Sequence, residues 1–155
     1  MFRHNSLILG VAVVLVSGCA KKPVVHDFST PEGAILCLED AYLAKDIEAA
    51  VRCKDFHIEA RLMLEKLKSL PKDVIDNAII NKTAEVLELA FRKEIEKKGF
   101  PDMTGMSSAF TKVEQFKEGV VAVTEECSYP NGRKSKQRLL VAKTDNGWRV
   151  LNPID

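Results

Sequence analysis

The chain has 155 residues and a formal net charge of +1, with 46% hydrophobic and 29% charged residues. These proportions are typical of a globular protein, and the length suits one domain with its own core. Arg3 is the one Lys or Arg of residues 1–18, which hold no Asp or Glu, so residues 19–155 carry 22 basic and 22 acidic side chains. Because duplex binding depends on a clustered basic face, this balanced and interleaved charge argues against nucleic acid as a partner.

The first eighteen residues have the pattern of an export signal. A short segment carrying Arg3 precedes an apolar run from Leu7 to Val16. A membrane-spanning helix needs about twenty apolar residues, so this run is too short to span. Residues 1–18 are therefore predicted to be a signal peptide.

The sequence Val16-Ser17-Gly18-Cys19 closely resembles the lipobox of bacterial lipoproteins. The resemblance implies that a peptidase cuts before Cys19 and that acyl chains on its sulfur anchor the protein stably to a membrane. Ala20 follows, which in a Gram-negative host implies the outer membrane, with the domain facing the periplasm. Residues 19–29 are predicted to be a tether, in which His26 is a solvated residue rather than a metal ligand.

The single domain, residues 30–155, begins with a helical pattern. Thr30-Pro31-Glu32 is a typical helix start, with a capping hydroxyl, a proline in the first turn and an acid at the positive end. Apolar residues then recur at helical spacing. The predicted helices span residues 30–45, 47–53, 56–70 and 72–98.

From Phe110 the pattern alternates, as in strands. Turn sequences separate the predicted strands, which span 110–117, 120–129, 134–144 and 148–152, after a loop at 101–109. We expect an α+β domain with N-terminal helices packed on a four-stranded antiparallel meander. The pattern does not decide which of Leu139 and Leu140 points into the core. The residues expected to face inward are Val121, Val123, Cys127, Leu139, Val141, Trp148 and Val150.

Two segments, FSTPEGAILCLEDAYLAKDIEAAVRC and KTDNGWRVLN, together resemble small bacterial lipoproteins of the nuclear-transport-factor-two-like, cone-shaped fold. The resemblance covers residues 28–152 and implies opening helices followed by a sheet that ends in a hairpin. That fold hosts isomerases, dehydratases, ligand binders and interaction modules, so it does not decide the function.

An isomerase of this fold would need a buried carboxylate base and a proton donor on one pocket wall. Asp40 and Tyr42 are of these types, but residues two apart point to different sides of a helix. We expect Asp40 to be solvated and Tyr42 to be packed. His57 has no identifiable partner and is expected to be structural. The sequence contains no motif for a catalytic site, a metal or a cofactor.

Three thiols remain beside Cys19, and an oxidising compartment favours a disulfide. Cys37 and Cys53 lie eight residues before and after Lys45, where a helical hairpin would turn. We therefore favour a Cys37–Cys53 disulfide over pairing with Cys127. Cys127 would then be a buried thiol, which we prefer, or a link to another chain.

The sequence predicts a membrane-tethered domain that binds an envelope protein, another envelope component or a small apolar ligand, without catalysis. An isomerase-like or dehydratase-like enzyme is the alternative, and an enclosed pocket holding a carboxylate with a raised pKa would distinguish it. A third possibility, a structural accessory of envelope assembly, would show an exposed apolar patch.

Overall fold

The computed structural model describes residues 24–67, 71 and 74–152, and in them helices precede an antiparallel sheet. The predicted α+β class is confirmed, with the strands in the order β1-β2-β3-β4. The predicted signal peptide and Cys19 lie outside the described residues. The elements are α1 (Pro31–Leu43), α2 (Ile47–Arg52), α3 (Phe56–Lys66), α4 (Asn77–Lys98), β1 (Ser107–Lys117), β2 (Val120–Ser128), β3 (Lys134–Thr144) and β4 (Gly147–Leu151).

Three predicted helix boundaries differ from the structure by two residues or more, and local backbone chemistry explains two of them. The longest helix begins at Asn77 rather than at residue 72, because the carboxylate of Asp76 caps it and accepts a hydrogen bond from the backbone N–H of Ile79 at 2.8 Å. The first helix ends at Leu43 rather than Lys45, whose φ of 54° is left-handed and ends the helical path. The third helix ends at residue 66 rather than at residue 70.

The first strand is longer than predicted. Ser107 to Ala109 were expected in a loop, but they pair with β2, with Ser108 opposite Cys127. This pairing brings the Ser108 hydroxyl under α1, where it forms a hydrogen bond with the carboxyl group of Glu39.

Both faces of the sheet are partly covered, because alternate residues of a strand point to opposite sides. On one face, Val121, Val123, Val141 and Val150 belong to a core cluster that also contains buried residues of all four helices. The other face packs on Ile58 and Leu62 of α3 through Val120, Ala122, Leu140, Ala142 and Leu151. Leu139 and Leu140 therefore both pack against helices, Leu139 on the first of these faces and Leu140 on the second.

Residues 24–29, the described part of the predicted tether, lie against the domain. The carbonyl of Phe28 accepts a hydrogen bond from the backbone N–H of Trp148 at 2.8 Å, and the Arg149 guanidinium lies 4.0 Å from the centroid of the Phe28 ring. Gly147, at φ +96°, passes so close that an added Cβ would lie 2.4 Å from the Phe28 carbonyl oxygen. The chain that leads into α1 is thus fixed to the β3–β4 hairpin.

A buried polar network joins the start of α3 to the end of the sheet. The Lys54 ammonium donates to Oδ1 of Asn152 at 2.7 Å and lies 3.6 Å from the Glu59 carboxylate. Asn152 donates to both oxygens of Glu59, from its backbone N–H at 2.9 Å and from Nδ2 at 2.8 Å. The side chains of Lys54 and Glu59 are 2% and 4% exposed, so each charge depends on the other for compensation.

We expect Lys54→Met to lower the free energy of unfolding by about 3–5 kcal/mol, because it leaves the Glu59 carboxylate buried without a cation. Urea denaturation measures the change. Lys97→Met, the same substitution on an exposed position of α4, should change it by less than about 0.5 kcal/mol. A loss below about 1 kcal/mol in Lys54→Met would show that the network is not needed for stability.

Candidate functional site: a cavity beside a pair of carboxyl groups

A cavity of about 350 Å³ lies between α1, the inner face of the sheet and the loop that follows α4. Its volume is at the lower end of the range for small-molecule sites. Its walls combine apolar side chains with a few polar groups. The lining residues are Ile35, Leu38, Glu39, Tyr42, Lys54, Pro101, Met103, Met106, Cys127, Tyr129, Gln137, Leu139, Val150, Leu151 and Asn152.

One wall of the cavity is backed by a completely buried carboxylate, Glu125 of β2. Its side chain points to the same side of the sheet as those of Val123 and Cys127, and the residue opposite it on β3 is Gln137. Gln137 Nε2 donates to Oε2 of Glu125 at 2.7 Å. Within the described part of the chain, Oε1 of Glu125 receives no hydrogen bond of ordinary geometry from an N–H or hydroxyl group.

Glu39 of α1 is placed over Glu125. It follows Ile35 by four residues, so α1 presents both side chains to the sheet. The Ser108 hydroxyl lies 3.0 Å and 3.2 Å from the two carboxyl oxygens of Glu39 and can donate to either. The α1 helix and strands β1, β2 and β3 thus each contribute one polar side chain to the same cluster: Glu39, Ser108, Glu125 and Gln137.

The two carboxyl groups titrate as a pair, and their pKa values move apart. Burial, followed by the hydrogen bond to Glu125 and the charge of Glu125, raises the pKa of Glu39 to about 8. Burial also opposes ionisation of Glu125, but the neighbouring groups Glu39, Ser108, Gln137 and Cys127 favour its ionised form, outweigh burial and hold the pKa of Glu125 below its ordinary value. The directions of the two shifts indicate that the pair holds one proton at neutral pH and that Glu39 carries it beside the Glu125 carboxylate.

A groove of about 860 Å³ lies on the outer side of the same cluster, along α1 and β1. Glu39, Met103 and Met106 line both the groove and the cavity, so they form the wall between the two. At the rim of the groove, Nδ1 of His26 lies 2.7 Å from a carboxylate oxygen of Asp40. The groove lining also includes Glu32, Leu36, Leu43, Ser108 and Phe110.

The structure places the residues considered from the sequence as follows. Asp40 is exposed and contacts His26, and Tyr42 is half-buried on the cavity wall, where burial raises its pKa to about 12. The predicted separation of Asp40 from Tyr42 is confirmed. His57 is exposed, and His26 contacts Asp40 rather than lying alone in a linker.

The thiols of Cys37, Cys53 and Cys127 are free in this structure. Burial, followed by the negative charge of a Cys37 thiolate, raises the pKa of Cys53 to about 11. The two thiols are therefore close enough for the charge of one to affect the other. The Cys37–Cys53 disulfide stays a prediction. Cys127 is 2% exposed, which confirms its predicted burial.

Sequence reasoning missed both carboxyl groups of the site, although each carried a positional signal. Glu125 has the same strand parity as Val121, Val123 and Cys127, which were assigned to the inward face. Glu39 lies one helical turn after the buried Ile35. A carboxylate at either position is expected to be buried, and a buried carboxylate requires a partner.

Residues 24–67, 71 and 74–152 contain no cluster of three or more His, Cys, Asp or Glu side chains suited to hold a metal ion. In the same part of the chain, no helix combines the length and the apolar character that crossing a membrane requires.

No protein-family model matches the sequence, and no curated protein matches it either. A similar solved structure is that of a Campylobacter jejuni protein provisionally named an NTF2-like transpeptidase, where NTF2 stands for nuclear transport factor two. The similarity covers 81% of this chain and 100% of that chain, with 14% sequence identity and a TM-score of 0.41. A similarity of this size does not establish a shared activity.

The raised pKa of Glu39 makes stability depend on pH. Between about pH 5 and 8 the unfolded chain has lost this proton while the folded protein keeps it, so the free energy of unfolding should decrease as pH rises. Glu39→Gln, which keeps a donor toward Glu125 and cannot ionise, should flatten this decrease. Urea denaturation at pH 5, 6.5 and 8 measures the slope.

The control is Glu85→Gln, which removes a carboxylate from an exposed position of α4 and should leave the wild-type slope unchanged. Parallel pH profiles for wild type and Glu39→Gln would mean that Glu39 ionises normally in the folded protein.

Proposed function

We propose that this protein is a lipid-anchored protein of the cell envelope whose domain binds a small ligand in the cavity under α1. The observation that carries the proposal is a partly apolar cavity with the Glu39 carboxyl group in its wall and the buried Glu125 behind it. Small-molecule sites are commonly apolar cavities with a few polar groups that fix the orientation of the ligand. Here Glu39 supplies such a group, while Leu38, Leu139 and Val150 supply apolar walls.

The anchoring part of the proposal depends on the sequence before residue 24. The apolar run from Leu7 to Val16 and the box ending at Cys19 support export and lipidation. In a Gram-negative host, Ala20 favours the outer membrane, with the domain in the periplasm. The tether in this proposal is short, because Phe28 already contacts the β3–β4 hairpin.

The proposed fold type is the nuclear-transport-factor-two-like cone. The order of elements supports it, since helices come first and the meander closes with the β3–β4 hairpin. The position of the cavity, between the first helix and the inner face of the sheet, also suits a cone.

Binding without catalysis is the function that the arrangement of the carboxyl pair favours. Glu125 is ionised, but it is completely buried behind Glu39 and is not part of the cavity wall. A general base must reach the proton that it removes, and Glu39 shields Glu125 from that position. Glu39 reaches the cavity, but it is protonated below about pH 8 and is suited to hydrogen bonding with a ligand.

An acid–base enzyme of the isomerase or dehydratase kind is the second candidate. The observation in its favour is Glu39 itself, a cavity-lining carboxyl group with a raised pKa. Such an enzyme would convert the bound ligand, whereas a binding protein would release it unchanged. Chemical analysis of a ligand before and after incubation with wild type and with Glu39→Gln separates the two.

We expect Leu139→Phe to prevent ligand binding, because the larger ring projects into a cavity of about 350 Å³. Native mass spectrometry of the full chain, purified from its host membrane, should show a small-molecule adduct in wild type and none in Leu139→Phe. Leu89→Phe makes the same change on an exposed position of α4 and should retain the adduct. Thermal melts of each variant confirm folding.

The absence of an adduct from the wild-type protein would contradict the proposal. An adduct that Leu139→Phe retains at the wild-type level would place the ligand outside the cavity and would contradict it as well.

A further inference from the structure

We propose that the loop between α4 and β1, residues 99–106, is a lid over the cavity, and that the cavity opens when this loop moves away from α1. The inference rests on the proposed function, since it gives the route by which a ligand reaches the cavity, but its test needs no ligand. Three observations carry it: the position of the loop in the cavity wall, its hydrogen bonds and its side-chain contacts.

The loop forms one wall of the cavity through Pro101, Met103 and Met106, and regular elements form most of the rest. Buried residues such as Ile35 fix α1 to the core, and ladder hydrogen bonds join the strands. The buried network of Lys54 holds a further part of the wall. An opening through any of these walls would disrupt the core, so the loop is the wall that opens at the lowest free energy.

Within the described part of the chain, the loop forms no hydrogen bond with α1 or with the sheet. Its hydrogen bonds are local in sequence. The backbone N–H of Gly99 donates to the last turn of α4 at 2.8 Å, and those of Thr104 and Met106 donate to Asp102 and Met103 of the loop itself. A segment with few and local hydrogen bonds opens more readily than a helix or a sheet.

Three half-buried side chains hold the loop against the domain. The ring of Phe100 packs on the ring of Tyr42 on α1, with centroids 6.2 Å apart and planes inclined by 59°. Met103 and Met106 are the other two, and they line both the cavity and the groove. Methionine side chains are flexible and adapt to irregular spaces. The loop can therefore leave α1 without breaking a hydrogen bond between the described elements.

Gly99 provides a hinge at the end of α4. Its φ of +80° lies in the left-handed region that favours glycine, and no atom of a more distant residue lies within 4 Å of the position that a Cβ would take. At the other end of the loop, Gly105 packs closely on Pro130 of the β2–β3 turn, where an added Cβ would lie 2.7 Å from Cγ of the proline. We therefore expect the largest movement between residues 99 and 104.

Movement of the loop joins the cavity to two neighbouring depressions. The first is the groove, which Met103 and Met106 separate from the cavity. The second is a pocket of about 520 Å³ at the end of α4, lined in part by Phe100. Tyr42 and Pro101 line both this pocket and the cavity, so the contact between Phe100 and Tyr42 lies at the boundary that must open.

Two buried thiols distinguish opening of the lid from unfolding of the domain. Cys127 lines the cavity and is 2% exposed, whereas Cys53 is 3% exposed and lies in the core outside the cavity lining. Burial is the largest cause that raises the pKa of each thiol to about 11, so the two have similar intrinsic reactivity toward an alkylating reagent. Opening of the lid exposes Cys127 alone, and global unfolding exposes both.

The test is alkylation by iodoacetamide at pH 8 of the full chain, purified from its host membrane in detergent and kept reduced with TCEP. Mass spectrometry of the cysteine-containing peptides gives the rate at each thiol. In the wild type we expect Cys127 to react at least about tenfold faster than Cys53, because opening of the lid costs less free energy than unfolding of the core. Equal rates at the two thiols would overturn the inference, since Cys127 would then be reached through global unfolding.

Phe100→Ala should raise the alkylation rate of Cys127 about tenfold, because it removes the ring contact with Tyr42, and should change the rate of Cys53 by less than about twofold. Phe116→Ala makes the same truncation at a phenylalanine of β1 that is 45% exposed, and it should leave both rates at the wild-type level. A parallel rise at both thiols in Phe100→Ala would indicate general destabilisation, and an unchanged rate at Cys127 would show that Phe100 does not hold the cavity closed. Either result would overturn the inference.

Failure of the lid and failure of the proposed function are distinguishable. Faster alkylation of Cys127 than of Cys53, increased further by Phe100→Ala, in a protein that carries no adduct would support the lid and contradict the proposed function. An adduct in a protein whose Cys127 and Cys53 react at equal rates would contradict the lid alone.

Discussion

The placement of a carboxylate inside the sheet is the constraint on which the site depends. Glu125 lies among apolar residues on the inner face of β2 and is completely buried, so its charge requires compensation. Gln137 donates to one oxygen from the neighbouring strand, and the carboxyl group of Glu39 interacts with Glu125 from α1. This contact lies where α1 passes over the sheet, and the cavity and the groove lie on either side of Glu39.

The architecture was predictable because it depends on local patterns. Apolar residues recur at helical spacing before residue 99 and alternate after Phe110, so the change from helices to a meander followed from periodicity. Errors occurred where one side chain decides a boundary. The carboxylate of Asp76 starts α4 five residues later than the apolar pattern suggested, and ladder pairing with β2 extends β1 back to Ser107.

The candidate site was less predictable, because its chemistry depends on contacts between elements distant in sequence. Strand parity alone indicates that Glu125 faces inward, and helical spacing indicates the same for Glu39. Neither pattern shows that α1 crosses the sheet at Glu125 rather than at Val121 or Val123. The Lys54, Glu59 and Asn152 network has the same origin, since the hydrogen bond from Lys54 to Asn152 joins residues 98 positions apart.

The central claim is that Glu39 and Glu125 share one proton in the folded protein. Carbon-detected NMR of side-chain carboxyl groups, recorded from pH 3 to 9 on wild type and on Glu39→Gln, tests it most directly. We predict one carboxyl resonance that titrates well above the ordinary range of glutamate and one that titrates below it, with the upper transition absent from Glu39→Gln. Two resonances that both titrate near the ordinary glutamate value would contradict the account, because the two carboxyl groups would then ionise independently of each other.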